Sequence, residues 1–218
     1  MDAADIRPVP RDLDLLGSRP YPGLTDRDVA ALGAGRAVVQ DGVLGDATAS
    51  AVRAALVAER ASLTPAAVGR GDEKQLHAEL RGDLTTWLER RAEEPLAALW
   101  RTFDAIATEF RERCWLGVVD SEVQLAVYPP DGARYVRHLD AFAGGGRRRA
   151  TAVYYLNPDW RPGDGGELVA HEPDGARTIE PRLDRLVLFL ADRLEHEVLP
   201  AVAPRWAVTA WLLGPLDP

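Results

Sequence analysis

Apolar positions recur along this chain with two different periods, and the change between them divides it. In PLAALWRTFDAIATEFRERCW (95–115), Leu96, Leu99, Phe103, Ile106 and Phe110 fall three or four residues apart and predict a long amphipathic helix. Upstream, DATASAVRAALVAERASL (46–63) carries Val52, Leu56 and Leu63 at helical spacing. TDRDVAALGAG predicts a shorter helix, with Thr25 capping an acidic first turn and Gly33 and Gly35 ending it. RAVVQDGVL (36–44) predicts a strand and a turn. The aperiodic, polar TPAAVGRGDEKQLHAELRGD (64–83) predicts a long loop, a kind of segment that often carries function.

From residue 118 the helical period stops. Eight β-rich runs follow, separated by Gly, Pro, Asp and Asn: SEVQLAVYPP, ARYVRHLD, RRATAVYYLN, GGELVAHE, ARTIEP, DRLVLFLAD, HEVLPAVA and RWAVTAWLLG. Strands this short and this closely spaced predict a β-sandwich or barrel rather than βαβ units. The fold class is therefore α+β and mainly β, with helices in the first half and the sheet in the second. The proline-rich, aperiodic residues 1–24 read as an N-terminal arm. Residues 25–218 read as a single domain, with helical support over 25–117 and the β core over 118–214.

Composition narrows the function classes. The 218 residues are 46% hydrophobic, enough for one sizeable core. Asp plus Glu is 34 against 26 for Lys plus Arg, a net charge of −8, which disfavours nucleic acid and anionic membrane as partners. No apolar run approaches the roughly 18 residues that span a bilayer. The start MDAADIRPVPRD lacks the apolar stretch of a signal peptide, so a cytoplasmic location is expected. Cys114 has no second cysteine to pair with, and the helical pattern puts it on the helical layer.

Candidate chemistry starts in YVRHLDAFAGG (135–145). His138 and Asp140 are two apart in a strand and share a face, as metal ligands or as an ordinary polar pair. Three other histidines exist. His77 falls in the polar loop, His171 reads as a surface or edge residue, and His196 opens a strand that can close on His138 across a barrel. Two histidines and a carboxylate suit a non-heme Fe(II) site and also some catalytic zinc sites. Arg205 shares a strand face with Ala207, Thr209 and Trp211. An arginine facing inward there needs an anion, for which a guanidinium fork suits a carboxylate. Tyr128 and Tyr155 are available to add phenol hydrogen bonds. The plainer reading makes Arg205 a strand-end charge and the tyrosines packing residues.

Taken together, YPPDGARYVRHLD, AVYYLNPDW, GGEL, IEPRLDRLVLF, HEVLPA and RWAVTAW resemble the prolyl hydroxylase branch of the Fe(II)- and 2-oxoglutarate-dependent oxygenases. The nearest likeness is to the oxygen-sensing prolyl hydroxylases of animals and their bacterial relatives. It covers about 120–213 strongly and reaches back to about 30 through VGRG and LRGDLTTWLE. It implies a double-stranded β-helix, or jelly roll, backed by the N-terminal helices.

The resemblance also implies roles. His138, Asp140 and His196 match the iron ligands. Arg205 matches the anchor of the far carboxylate of 2-oxoglutarate, and Tyr155 its hydrogen-bonding partner. Tyr128 matches a tyrosine near the metal end of that cosubstrate, Trp211 a tryptophan near the iron and the target proline, and Leu168 an apolar pocket residue. Arg81 and Asp83, within Arg81-Gly82-Asp83, match the end of a mobile substrate loop, and Arg148 a basic residue at the mouth that pairs with the loop's acid. Fe(II) and the cosubstrates 2-oxoglutarate and O2 are implied, with ascorbate as a stimulant. The chain departs from the pattern in AFAGGGRRRA, where glycines read as a mobile rim and Arg147 and Arg149 as loop residues or a basic rim. The implied activity is hydroxylation of an exposed proline in a protein, elongation factor Tu being one candidate, with release of succinate and CO2. A hydroxylase of a free amino acid or natural product, and a non-catalytic metal-binding jelly roll, are the competing readings. Target proline, oxygen affinity and oligomeric state stay open.

Overall fold

The computed structural model describes residues 21–66, 80–141 and 146–215. Most of the expected arm, His77 and residues 142–145, with Gly144 and Gly145 of the expected rim, lie outside the described residues.

The helices form where the apolar period predicts them. Helix α1 (Asp26–Gly33) opens on a capping box: Asp28 N donates to Thr25 Oγ1, and Thr25 N donates to Asp28 Oδ2. Strand β1 (Val38–Asp41) and helix α2 (Asp46–Ala58) follow. A 3₁₀ turn, Glu59–Ser62, ends the second helix early, so Leu63 lies beyond it. Helix α3 (Leu96–Arg113) buries Leu99, Phe103, Ile106 and Phe110 along one stripe and carries Arg111 and Arg113 in its last turn, where cations suit the helix dipole. Cys114 caps it, half-buried against the same core.

The eight expected strands are present as β4 (Asp120–Tyr128), β5 (Tyr135–His138), β6 (Arg148–Tyr155), β7 (Leu168–Glu172), β8 (Gly175–Ile179), β9 (Arg185–Leu190), β10 (Glu195–Val198) and β11 (Arg205–Leu213). Of the expected loop over 64–83, residues 67–79 lie outside the described residues. It begins with β2 (Thr64–Pro65), and its last residues run into β3 (Leu84–Trp87). Pairing of β3 with β4, and of β2 with β3, overrides the local polarity of these short strands.

Two antiparallel sheets result. A seven-stranded sheet runs β1-β9-β6-β11-β4-β3-β2, and a four-stranded sheet runs β5-β10-β7-β8. Strand alternation divides the large sheet into two cores. Val123, Leu125, Ala150, Ala152, Leu188, Val208 and Leu212 face the helices. Ala126, Val153, Val187, Phe189 and Ala207 face the small sheet, where they meet Leu168, Ala170 and Val198. Covered on both faces, β4, β6, β9 and β11 read as near-continuous apolar runs despite being antiparallel. The polar exceptions on the inner face form the site described below.

Asp184 fastens the helical layer to the sheet. It is 1% exposed, and its φ of 58° is one that aspartate tolerates better than most residues. Its Oδ1 accepts from Leu44 N and the Tyr154 hydroxyl, and its Oδ2 from Gly45 N, at 2.7–2.8 Å. Gly45, at φ 82°, lets the chain turn there into α2. Asp184→Ala strands three buried donors at once. Urea unfolding is expected to show a loss of about 2–4 kcal/mol, with a smaller loss in Asp184→Asn; a change within error in both would show that the clamp is dispensable.

Candidate active site

The inner face of β4, β6 and β11, the end of β5 and the start of β10 converge on one cleft between the sheets. His138 ends β5, Asp140 lies just past it, and His196 pairs with His138 across the β5–β10 ladder. One potential ligand atom from each lies within 4.8 Å of the others. Each imidazole holds its Nδ1 against a backbone carbonyl: His138 at 2.8 Å from Val136 O, His196 at 3.1 Å from Leu194 O. A neutral ring donating there keeps its Nε2 lone pair free. Both Nε2 atoms approach Asp140, at 3.6 Å from Oδ1 for His138 and 3.9 Å from Oδ2 for His196.

Asp140 is 8% exposed, and the Thr151 hydroxyl donates to its Oδ2 at 2.6 Å. Burial would raise this carboxyl, but the two imidazoles and Thr151 outweigh it and hold the group well below the usual carboxylate range. Burial, only partly opposed by Asp140, pushes the His196 ring down to about 4. An ionised carboxylate and two imidazoles that turn their Nε2 atoms toward it are the donor set a divalent transition metal takes. The residues therefore fit Fe(II), and the facing oxygen and nitrogen atoms span a gap one ion can bridge.

Arg205 opens β11 on the same face and is 3% exposed. Its stem crosses Gly166, where an added Cβ would sit 2.9 Å from Arg205 Cδ, and its Nε donates to the Gly166 carbonyl at 2.7 Å. That close approach is the physical reason for the second glycine of GGEL. The guanidinium lies 4.6 Å from the Tyr128 ring centroid and 5.0 Å from that of Tyr155, with Nη2 3.4 Å from the Tyr155 hydroxyl. Burial raises both phenols, so they stay protonated donors. Among the described residues, no carboxylate pairs with Arg205. A buried cation with no anion of its own is costly.

Leu168, Trp211, Tyr128 and Arg205 line the cleft together with the His-Asp-His cluster. Tyr155 lies fully buried beside Arg205. The ring of Tyr128, expected near the metal end, packs against the guanidinium. The Trp211 Nε1–H is buried and meets no acceptor among the described residues. Arg148 lies 3.8 Å over the Trp211 ring and 3.9 Å from Glu122.

The expected loop acid differs from its sequence reading. Asp83 is 1% exposed and takes both bonds of a bidentate pair with Arg81, at 2.7 and 3.0 Å, so its carboxylate is built into the wall rather than held out at the rim. Burial alone would pull the Arg81 guanidinium down, but Asp83 outweighs it and holds it up. Arg147 and Arg149 lie beside Gly214: Arg147 donates to its carbonyl, and a Cβ there would meet Arg149. His171 pairs with Glu197 across β7 and β10, on a partly exposed face.

Three cleft residues escaped the sequence reading. Thr151 was within reach of it, being two alternations back from Tyr155 on the same strand face. Gln124, likewise, lies two alternations from Tyr128. Tyr135 carried no such signal, because alternation sets it opposite His138.

Comparison with known proteins was consistent with this geometry. Residues 123–213 match the family described as the 2OG-Fe(II) oxygenase superfamily. Egl nine homolog 1 of Homo sapiens is 36% identical over 141 residues, which is 61% of this chain and 33% of that protein. The chain thus spans about a third of the length of that curated relative. Among solved structures, a Pseudomonas putida prolyl-4-hydroxylase is 33% identical with a TM-score of 0.76, covering 86% of this chain and 97% of that one. A Trichoplax adhaerens prolyl hydroxylase, solved with a hypoxia inducible factor oxygen degradation domain peptide, is 27% identical with a TM-score of 0.72, covering 85% and 86%.

Metal-free, the chain should lose stability in acid. Unfolded, the His196 ring takes a proton below its ordinary 6.5; folded, it refuses one until about 4, so stability falls with pH through that window. Urea midpoints of the metal-free protein are expected to fall across it more steeply than those of His196→Gln. Equal slopes would contradict a buried neutral ring.

Proposed function

The chain belongs to the 2OG-Fe(II) oxygenase superfamily, and from that premise we propose that it hydroxylates a prolyl residue of a protein substrate. The observation that carries this reading is the buried Arg205, which meets no carboxylate among the described residues, in the same cleft as the His138-Asp140-His196 cluster. Iron bound by those three residues would supply oxygen activation, coupling decarboxylation of 2-oxoglutarate to succinate and CO2 with insertion of a hydroxyl into a substrate C–H bond. The protein's part is binding and orientation.

Arg205 takes the distal carboxylate of 2-oxoglutarate, and the Tyr155 hydroxyl donates to the same group. Asp140 stays ionised and held by Thr151, which fixes the direction of its free oxygen. Leu168 and the indole of Trp211 exclude water from the reacting end. The Trp211 Nε1–H offers a hydrogen bond to an acceptor on the cosubstrate or the substrate. Arg81, held in the wall by Asp83, and Arg148 flank the cleft that receives the chain carrying the proline.

A peptide substrate is favoured over a free amino acid by two relatives. One is the Pseudomonas putida prolyl-4-hydroxylase, nearly all of which this chain covers. The other was solved holding a peptide. Elongation factor Tu, the candidate raised by the sequence resemblance, is the first protein to assay.

Incubation with Fe(II), 2-oxoglutarate and air, followed by peptide mass spectrometry, is expected to show a one-oxygen gain on a specific proline and none with His196→Ala. Succinate without a modified protein would move the substrate to the small-molecule class. Neither product, with metal bound, would leave a binding module. Arg205→Lys keeps the charge but loses the planar fork. It should raise the KM for 2-oxoglutarate about tenfold or more, the worth of one charge-assisted hydrogen bond. An unchanged KM would remove Arg205 from the cosubstrate site.

A further inference from the structure

The two histidine ligands are braced differently. The His196 side chain is 7% exposed and packs 4.6 Å from the Phe189 ring. The His138 side chain is 18% exposed, nearer the mouth. It is met instead by Tyr135, whose ring stacks on the imidazole with centroids 3.7 Å apart and planes 20° from parallel.

Regular strand geometry forbids that contact, since positions 135 and 138 would point to opposite faces. A bulge permits it. Opposite β10, His138 pairs with His196 and Tyr135 with Val198, so three steps along β5 match two along its partner. On the same strand the Val136 carbonyl meets the His138 Nδ1. The other edge of β5 is tied down by the residues before β3. Val136 N donates to Leu80 O and Gly82 N to Arg134 O, both at 2.9 Å, and Arg81 bridges Tyr135. The Arg81 guanidinium then packs 4.7 Å from the centroid of the Tyr135 ring. Asp83 and Gln124 hold that guanidinium in place.

We propose that Tyr135 is a positioning residue for the metal ligand His138, and that Arg81 acts through it. One hydrogen bond on Nδ1 fixes the tautomer of His138 but leaves the ring free to tilt about it. The stacked phenol removes that freedom, and the planar guanidinium in turn restrains the phenol. Geometry rather than acidity is at issue, so the phenol hydroxyl is dispensable and the ring is not. The assignment rests on His138 holding the metal.

The test titrates Co(II) into the full metal-free chain and follows its ligand-field absorption, which reports ligand geometry without turnover. Tyr135→Leu is expected to weaken Co(II) binding about tenfold, the usual cost of losing a group that orients a ligand, and to shift the absorption bands. Tyr135→Phe should restore both. Arg81→Lys, which keeps a cation beside Asp83, should produce a smaller change of the same kind and none in the Tyr135→Leu background. Wild-type affinity and bands in folded Tyr135→Leu would overturn the proposal. If that variant does not fold, Arg81→Lys decides alone, and unchanged binding and bands would overturn it. Failure of the wild-type chain to bind Co(II) would instead strike the metal-site reading beneath it. Because no product is measured, the outcome is independent of which substrate the enzyme hydroxylates.

Discussion

The structure turns on one buried carboxylate. Asp140 lies between two imidazoles whose Nδ1 atoms are already committed to backbone carbonyls, and it accepts the Thr151 hydroxyl on Oδ2. Without a cation the arrangement is electrostatically incomplete, since an ionised group is held in a buried cleft by one hydroxyl beside two imidazole rings. Iron completes it. The demand propagates outward: β5 and β10 must pair in one register to bring the histidines together, and β6 must present Thr151 on its inner face.

The same logic governs the other end of the cleft, with the sign reversed. Arg205 is a buried cation with no carboxylate beside it among the described residues, fitted over a glycine whose missing side chain makes room for its stem. On the proposed reading the metal answers the deficit at Asp140, and the distal carboxylate of 2-oxoglutarate answers the one at Arg205. Two uncompensated charges at opposite ends of one cleft are a poor design for stability and a good one for selective binding. Their stability cost is offset by the two apolar cores on either face of the large sheet.

Much of this was legible in the sequence, because the informative residues obey simple periods. The α3 stripe follows the helical repeat, Thr25 and Asp28 form the cap their types predict, and the inward row from Arg205 to Trp211 follows strand alternation. The iron ligands were legible only through their order and spacing with neighbouring motifs, since a histidine two residues from an aspartate is ambiguous alone. What stayed hidden depended on exceptions to periodicity or on distant pairing. The β5 bulge reverses the face of Tyr135, and no residue in YVRHLD announces it. Strand β3 exists because β4 offers it an edge, and Asp83 is buried because Arg81 folds back on it. Asp184 drew no attention in the sequence, because its partners at Leu44 and Gly45 are far away along the chain.

The most direct test of the central claim is a crystal structure of the chain with Mn(II), as a redox-inert stand-in for Fe(II), and 2-oxoglutarate, read by anomalous scattering at the metal. The account predicts one strong peak bounded by His138 Nε2, His196 Nε2 and an Asp140 oxygen, with the distal carboxylate of 2-oxoglutarate on Arg205. A metal peak elsewhere, or a cosubstrate whose far carboxylate does not reach Arg205, would contradict it.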